Sequence, residues 1–435
     1  MVILLKILQV ALALSILVLI HELGHFAFAK LFKIRVSKFY LFFDLGGKAL
    51  FKFKPKNSET EYGIGWLPLG GYCKIEGMID ESMDTDSMKK EPEDWEFRSK
   101  PAWQRLLVMA GGILFNFILA IILFIVILSV WGEGYYKNEG QAIYTNELSQ
   151  ELGFKDGDRI LRLDDWQPED FGMLQADLAR RTPKTITVLR DEDTVDIWLD
   201  HKYIADIIRT PYIFQPALPF VVDTIPPVSA NSGCELTRGD RIISVAGQEV
   251  EWVQDSREAI SGMRDTIVPV QYIRDGDTAL CELQVDSSSL LGIMTKGPKI
   301  EYRKYNMLTA IPAGFRMTYD NIAGYVRDLK LVFTPSTEAY KSVGSFVALG
   351  EIFPGNWSLF IFIQRLAILS IMLGVMNLLP IPALDGGHIV FTLYEMITGR
   401  KPSVKVLTIA QIIGMVLLTM LMFLAFSNDI GRLLR

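Results

Sequence analysis

The chain has 435 residues, 50% of them hydrophobic, with a mean hydropathy of +0.26 and a formal net charge of −6. A soluble domain rarely carries so much apolar material, so membrane spans are expected, and the mild acidity gives no reason to expect nucleic acid as a partner. Three cysteines (Cys73, Cys234 and Cys281) are too few for a disulfide scaffold and lack metal-finger spacing; the last two fall in one module, as two free thiols or a single pair.

The first apolar segment covers 4–28, enough to cross about 30 Å of hydrocarbon. It has no small-residue cleavage site after its core and ends in charged residues, which argues against a signal peptide. Near its end stands His21-Glu22-Leu23-Gly24-His25. Helix positions i and i+4 lie about 40° apart around the axis, so both imidazoles project from one face. Two neutral His nitrogens can then share one zinc, with Glu22 beside them to handle the metal's water. Two of the four histidines and a carboxylate sit in one apolar span, where ionisable groups are costly unless paired. The plain alternative is polar residues that merely hold helices together.

Lys30, Lys33, Arg35, Lys38, Lys48, Lys52, Lys54 and Lys56 follow, so this loop is expected on the cytoplasmic side. From 48 to 54 apolar and basic residues alternate around Phe51 and Phe53. A polar turn at Lys56-Asn57-Ser58 then leads to a Gly-rich strand ending in Trp66-Leu67-Pro68-Leu69-Gly70-Gly71-Tyr72. That pattern predicts a β-hairpin followed by a Gly/Pro-rich loop. The acidic stretch 80–96 reads as a solvated linker without chemistry, and a second span covers 106–130.

The segment from about 135 to 355 contains an internal repeat. "DGDRILRLDD" from Asp156 matches "RGDRIISVAG" from Arg238, and "VLRDEDTVDIWL" from Val188 matches "YIRDGDTALCEL" from Tyr272, offsets of 82 and 84. Each copy reads as short strands, a helical stretch and two strands joined by an Asp-rich turn. The pair resembles tandem PDZ domains, with Pro216-Ala217-Leu218-Pro219 where such domains place a peptide-carboxylate loop; a small β-rich domain of another type is the alternative. Beyond it, Phe315, Tyr319, Ile322, Tyr325, Val326 and Leu329 recur at helical spacing. This predicts an amphipathic helix resting on the membrane, on the domains, or packed as an ordinary helix.

A third span covers 359–379 and a fourth 406–426, joined by a link carrying Arg400, Lys401 and Lys405, which is also expected to be cytoplasmic. Both termini and the repeat then lie on the opposite side. The third span ends in Asn377-Leu378-Leu379-Pro380-Ile381-Pro382-Ala383-Leu384-Asp385-Gly386-Gly387. Two prolines free backbone carbonyls there, which is tolerated at membrane depth only where the chain lines protein or a water cavity. Asp385 is the candidate third metal ligand or, taken alone, a helix cap or turn residue.

The two motifs together, His-Glu-x-Gly-His and Asn-x-x-Pro-x-Pro-x-Leu-Asp-Gly, resemble the paired signature of the site-2 protease family (peptidase family M50), intramembrane zinc proteases. The resemblance extends to Pro68–Tyr72, Gln104-Arg105, Asn116-Phe117 and Asn428-Asp429. Ala110-Gly111-Gly112 departs from the frequent Ala-Gly-Pro, a change expected to alter the entry to the second helix and leave the chemistry untouched. The resemblance implies that His21, His25 and Asp385 bind Zn2+ and that Glu22 is general base and then general acid. It also implies that Asn377 holds the substrate backbone. His388 is left as a supporting position and His201 as a surface histidine. Phe51, Phe53, Gly70 and Gly71 are expected to contact an unwound substrate added as a strand.

The expected architecture is therefore a polytopic α-helical membrane protein with four transmembrane helices, a cytoplasmic-side membrane-associated β-hairpin and a tandem pair of extracytoplasmic PDZ-like α+β domains. Its parts are a membrane core (1–134), PDZ-like domains (135–210 and 211–302), an amphipathic connector (303–355) and a second membrane part (356–435). The resemblance implies a bacterial inner-membrane enzyme, with periplasmic termini and PDZ pair. Its substrates would be single-span membrane proteins, of the anti-sigma-factor type or remnant signal peptides, first trimmed by an upstream site-1-type protease in the envelope stress response. The PDZ pair would bind a new C-terminus or exclude bulky substrates. The rival readings are a PDZ scaffold or receptor with a non-catalytic zinc site, and a transporter. The transporter would need inverted repeats among the spans, which are not seen.

Overall fold

Hydropathy decides the first layer of the fold. In a computed structural model, which describes residues 2–67, 70–78 and 91–433, four helices carry windows of mean hydropathy from 2.2 to 3.1, long and apolar enough to cross a membrane. These are α1 (Val2–Leu31), α2 (Ala102–Val130), α4 (Leu359–Leu378) and α6 (Val404–Leu433). With α3 (Met307–Val332) and α5 (Asp385–Thr398) they belong to one compact unit, Met1–Glu133 with Lys304–Arg435; Gly134–Arg303 forms a second.

Small residues set the helix contacts of the first unit. A Cβ on Gly24 of α1 would stand 2.2 Å from the Gly111 carbonyl oxygen of α2, and one on Gly111 would stand 2.6 Å from the Gly24 oxygen. The two backbones touch, the close approach that membrane helices use in place of hydrophobic collapse. Gly374 of α4 admits the Phe117 ring of α2, where a Cβ would meet Cε1 at 2.7 Å. The same device seats α3. Its buried residues are Ala310, Gly314, Thr318 and Gly324, and a Cβ on Gly314 would lie 2.5 Å from Ile125 Cγ1. Ile322, Tyr325 and Leu329 pack on the core formed by α2 and α4. Phe315 and Tyr319, however, are 55% and 71% exposed. The connector thus lies against α2 and α4, and its contact face is built from small residues as well as large apolar ones.

Between α1 and α2 the expected hairpin is present, as β2 (Ala49–Phe53) paired antiparallel with β3 (Glu61–Gly65), Phe53 opposite Tyr62. It is only half of a mixed sheet. β1 (Val36–Leu41) runs parallel to β3 and β4 (Tyr72–Ile75) runs antiparallel to β1, giving the order β2-β3-β1-β4. Tyr40 is buried and donates to Glu61 at 2.6 Å; Lys38 and Tyr72 both donate to Asp44, at 2.8 and 2.7 Å. Pro68 and most of the 80–96 linker lie outside the described residues.

The second unit shows the duplication atom by atom. In the first copy Arg190 at the end of strand Thr185–Arg190 donates to the buried Asp158 (2.7 and 2.8 Å) and to the Gly153 carbonyl. In the second, Arg274 at the end of strand Thr266–Arg274 donates to the buried Asp240 (2.6 and 2.8 Å) and to the Glu235 carbonyl. The amides of Lys155 and Thr237 complete the two carboxylates at 2.9 and 2.6 Å. The Arg274 guanidinium holds the Asp240 carboxyl below its ordinary range. The helices Leu174–Arg181 and Val253–Ala259 hold equivalent places. Strand Phe214–Pro216, expected in the second copy, pairs with Ile143–Thr145 of the first. The 216–219 segment is stitched down: the Ala217 amide donates to Ala142 and the Leu218 carbonyl accepts from Val253, both at 2.9 Å. Cys234 and Cys281 are free thiols, with Cys281 pushed up to about 11 by burial.

Candidate metal centre

His21 and His25 occupy one face of α1, one turn apart, and both are buried. Their Nε2 atoms lie 3.2 Å apart. The third group comes from the far end of the chain. α4 stops at Leu378, the Pro-containing loop turns back, and α5 begins at Asp385. That turn requires the two glycines after it: a Cβ on Gly386 would stand 2.2 Å from the Leu379 oxygen, and one on Gly387 2.4 Å from Pro382 Cα. Leu384, not Asp385, is the cap residue of α5. Asp385 Oδ2 instead lies 3.2 Å from His21 Nε2 and 3.4 Å from His25 Nε2.

These three distances are those of one face of a metal tetrahedron. Zinc bonds of about 2.0–2.1 Å require ligand atoms about 3.3–3.4 Å apart. Asp385 Oδ2 is buried with no conventional hydrogen-bond partner, and among the described residues His21, His25 and Asp385 form the one group of three side chains arranged to hold a metal. Two imidazoles and a carboxylate suit zinc, and three protein ligands leave the open fourth position typical of catalytic sites.

α2 closes the back of the centre. His25 Nδ1 lies 2.9 Å from the Val108 carbonyl, and His21 Nδ1 lies 3.0 Å from the Asn116 side chain. A Cβ on Gly112 would stand 2.6 Å from both His21 Cε1 and His25 Nε2. The Ala110-Gly111-Gly112 stretch therefore sits inside α2, which starts at Ala102, and against the histidines. The sequence reading expected this departure to alter the helix entry and leave the chemistry untouched; the stretch lies within the helix, with Gly112 against both histidines.

In front of the centre is a cavity of about 840 Å³ bordered by Glu22, Asn377, Gly70, Gly71, His388 and the whole of β4. Cys73 of β4 lines the cavity together with Glu22. Gly71 is required where the loop passes α1, since a Cβ there would meet Val18 Cγ1 and the Tyr40 oxygen at 2.7 Å. Phe51 and Phe53 are not brought to the cavity: they lie exposed on β2, the strand farthest from β4. His201 is exposed. Sequence reasoning missed β4 and the cavity-lining Lys38, Asp44 and Gln411 of α6, a buried polar residue in an apolar helix and so a readable signal.

The model of peptidase family M50 matches residues 9–421, and the chain belongs to that family. It is 29% identical over 451 residues to the regulator of sigma-E protease RseP of Escherichia coli, covering 97% of each chain. It is 30% identical over 446 residues, 96% of each chain, to a protein of Xylella fastidiosa that bears a zinc metalloprotease name.

Proposed function

We propose that this chain cuts single-span membrane proteins within or next to their transmembrane helix, after an upstream site-1-type protease has trimmed them. As a member of peptidase family M50 it is a zinc metalloprotease. The observation that carries the reading is the convergence of His21, His25 and Asp385 among helices apolar enough to cross a membrane. These three are assigned as the zinc ligands. Bound there, zinc supplies Lewis-acid polarisation of the scissile carbonyl and a water made nucleophilic at neutral pH. Glu22 takes the proton of the attacking water and passes it to the leaving amine. Asn377, on the cavity wall, holds the substrate backbone.

A helical peptide bond is shielded by its own hydrogen bonds, so the substrate must be extended to be cut. We assign its docking edge to β4, which pairs only with β1 among the described strands and borders the cavity beside Glu22. The Phe51–Phe53 stretch is a poorer candidate for the scissile region because it lies on the opposite edge of the sheet. In a cysteine-free chain, Cys introduced at Lys74 should crosslink to a substrate cysteine near the cleavage site, and Cys at Phe51 should not. The reverse pattern removes β4 from this role.

The basic residues of the α1–α2 and α5–α6 loops support cytoplasmic loops, with both termini and the duplicated modules on the periplasmic side of a bacterial inner membrane. We read the modules as PDZ-like. The stitched 216–219 segment favours exclusion of bulky substrates over capture of a C-terminus in the second module. Likeness to a regulator of sigma-E protease supports substrates of the anti-sigma-factor type and a role in the envelope stress response. A scaffold with a structural zinc is less well supported, because such a site needs no carboxylate beside it and Glu22 lines the cavity. The test is metal removal. The purified chain should hold one zinc, lose cleavage of a trimmed single-span substrate on chelation, and recover it on zinc addition; cleavage by metal-free protein overturns the proposal.

A further inference from the structure

A carboxamide inside an apolar helix needs a reason, and Asn116 is fully buried in the middle of α2. Its Nδ2 is placed 3.0 Å from His21 Nδ1, while its Oδ1 is buried with no hydrogen-bond partner. The other histidine shows what this contact must be. His25 Nδ1 faces a carbonyl, Val108 O, at 2.9 Å, and a carbonyl can only accept. His25 therefore carries its proton on Nδ1 and turns the Nε2 lone pair toward Asp385.

His21 also points Nε2 at Asp385, at 3.2 Å. To offer a lone pair there it must carry its proton on Nδ1, and the atom facing Nδ1 must then be an acceptor. An amide nitrogen cannot accept. The carboxamide oxygen and nitrogen are nearly isosteric and are assigned from hydrogen bonding. Exchanging them satisfies the orphaned Oδ1 and the imidazole N–H in one step.

We propose that Asn116 is a positioning residue for the metal centre, its Oδ1 accepting the Nδ1–H of His21 and so fixing the tautomer and ring orientation that present Nε2 to zinc. The proposal rests on the zinc-ligand assignment above. Asn116 is itself held: Ser370 of α4 donates to its backbone carbonyl at 2.7 Å. α2, which supplies no ligand, then anchors both ligand histidines from behind, Val108 for His25 and Asn116 for His21. Such outer hydrogen bonds raise the basicity of a ligand histidine and restrict its motion.

The test compares zinc dissociation constants of the full chain in detergent, measured by competition with a chromophoric chelator. Asn116→Leu keeps the branched shape and removes the acceptor; it should weaken zinc about 10- to 100-fold. Asn116→Asp keeps an oxygen facing His21 and should stay within a few-fold of the parent. A merely structural Asn116 predicts the opposite order, since leucine suits an apolar helix and a carboxylate does not. If Asn116→Leu does not accumulate as folded protein, Asn116→Ala takes its place in the same comparison. Parental zinc affinity in the acceptor-free variant, or equal loss in the aspartate variant, overturns the proposal. A parent chain that binds no zinc would overturn the ligand assignment instead.

Discussion

Glu22→Gln should leave the zinc in place and abolish cleavage. The substitution keeps shape and leaves one side-chain oxygen as an acceptor. It does not touch the three groups assigned as zinc ligands, His21, His25 and Asp385. What disappears is the group that takes and returns a proton, a loss of about 10²–10⁴ in rate. Zinc content and turnover of a trimmed single-span substrate, measured on the same preparation, check it. A variant with full zinc and a rate within tenfold of the parent would remove Glu22 from the chemistry.

The second large effect lies at a residue without a side chain. Gly24→Ala should strip the zinc and destabilise the membrane unit, because the added Cβ would meet the Gly111 carbonyl at 2.2 Å and the Gly112 nitrogen at 2.8 Å. Ordinary overpacking costs about 1–3 kcal/mol because side chains can turn aside. Here the obstacle is main chain, so α1 and α2 must separate. Separation moves His21 and His25 away from Asn116 and Val108, and the metal geometry fails with it. The control is Gly350→Ala, since Gly350 has open space where its Cβ would go. Zinc per chain and thermal unfolding in detergent report the outcome; parental values for Gly24→Ala would show that the backbone contact is not needed.

The sequence makes some of this architecture plain and hides the rest for physical reasons. Long apolar runs mark the four helices because hydrocarbon thickness imposes a length on them. The histidine spacing and the Pro-interrupted Leu-Asp-Gly-Gly segment mark the metal centre, whose groups need few, costly residue types. By contrast, β1 and β4 escape notice because their partners are set by long-range pairing, Lys38 with Glu61 and Tyr40 with Tyr72, which no local pattern announces. The face of α3 is obscured because Gly314, Thr318 and Gly324 carry little hydropathic signal yet lie buried. Gly112 misleads in the same way: its importance is the space it leaves for two imidazoles.

The separation of the ligands along the chain has a consequence for biosynthesis. His21 and His25 leave the ribosome early and meet their α2 supports about a hundred residues later, whereas Asp385 emerges only after another 270 or so. Until then the nascent polypeptide has two imidazoles but no carboxylate to complete the centre. Under the zinc-ligand assignment, the metal site can close only after synthesis has passed Asp385, and a polypeptide released before that point lacks one of the three assigned ligands.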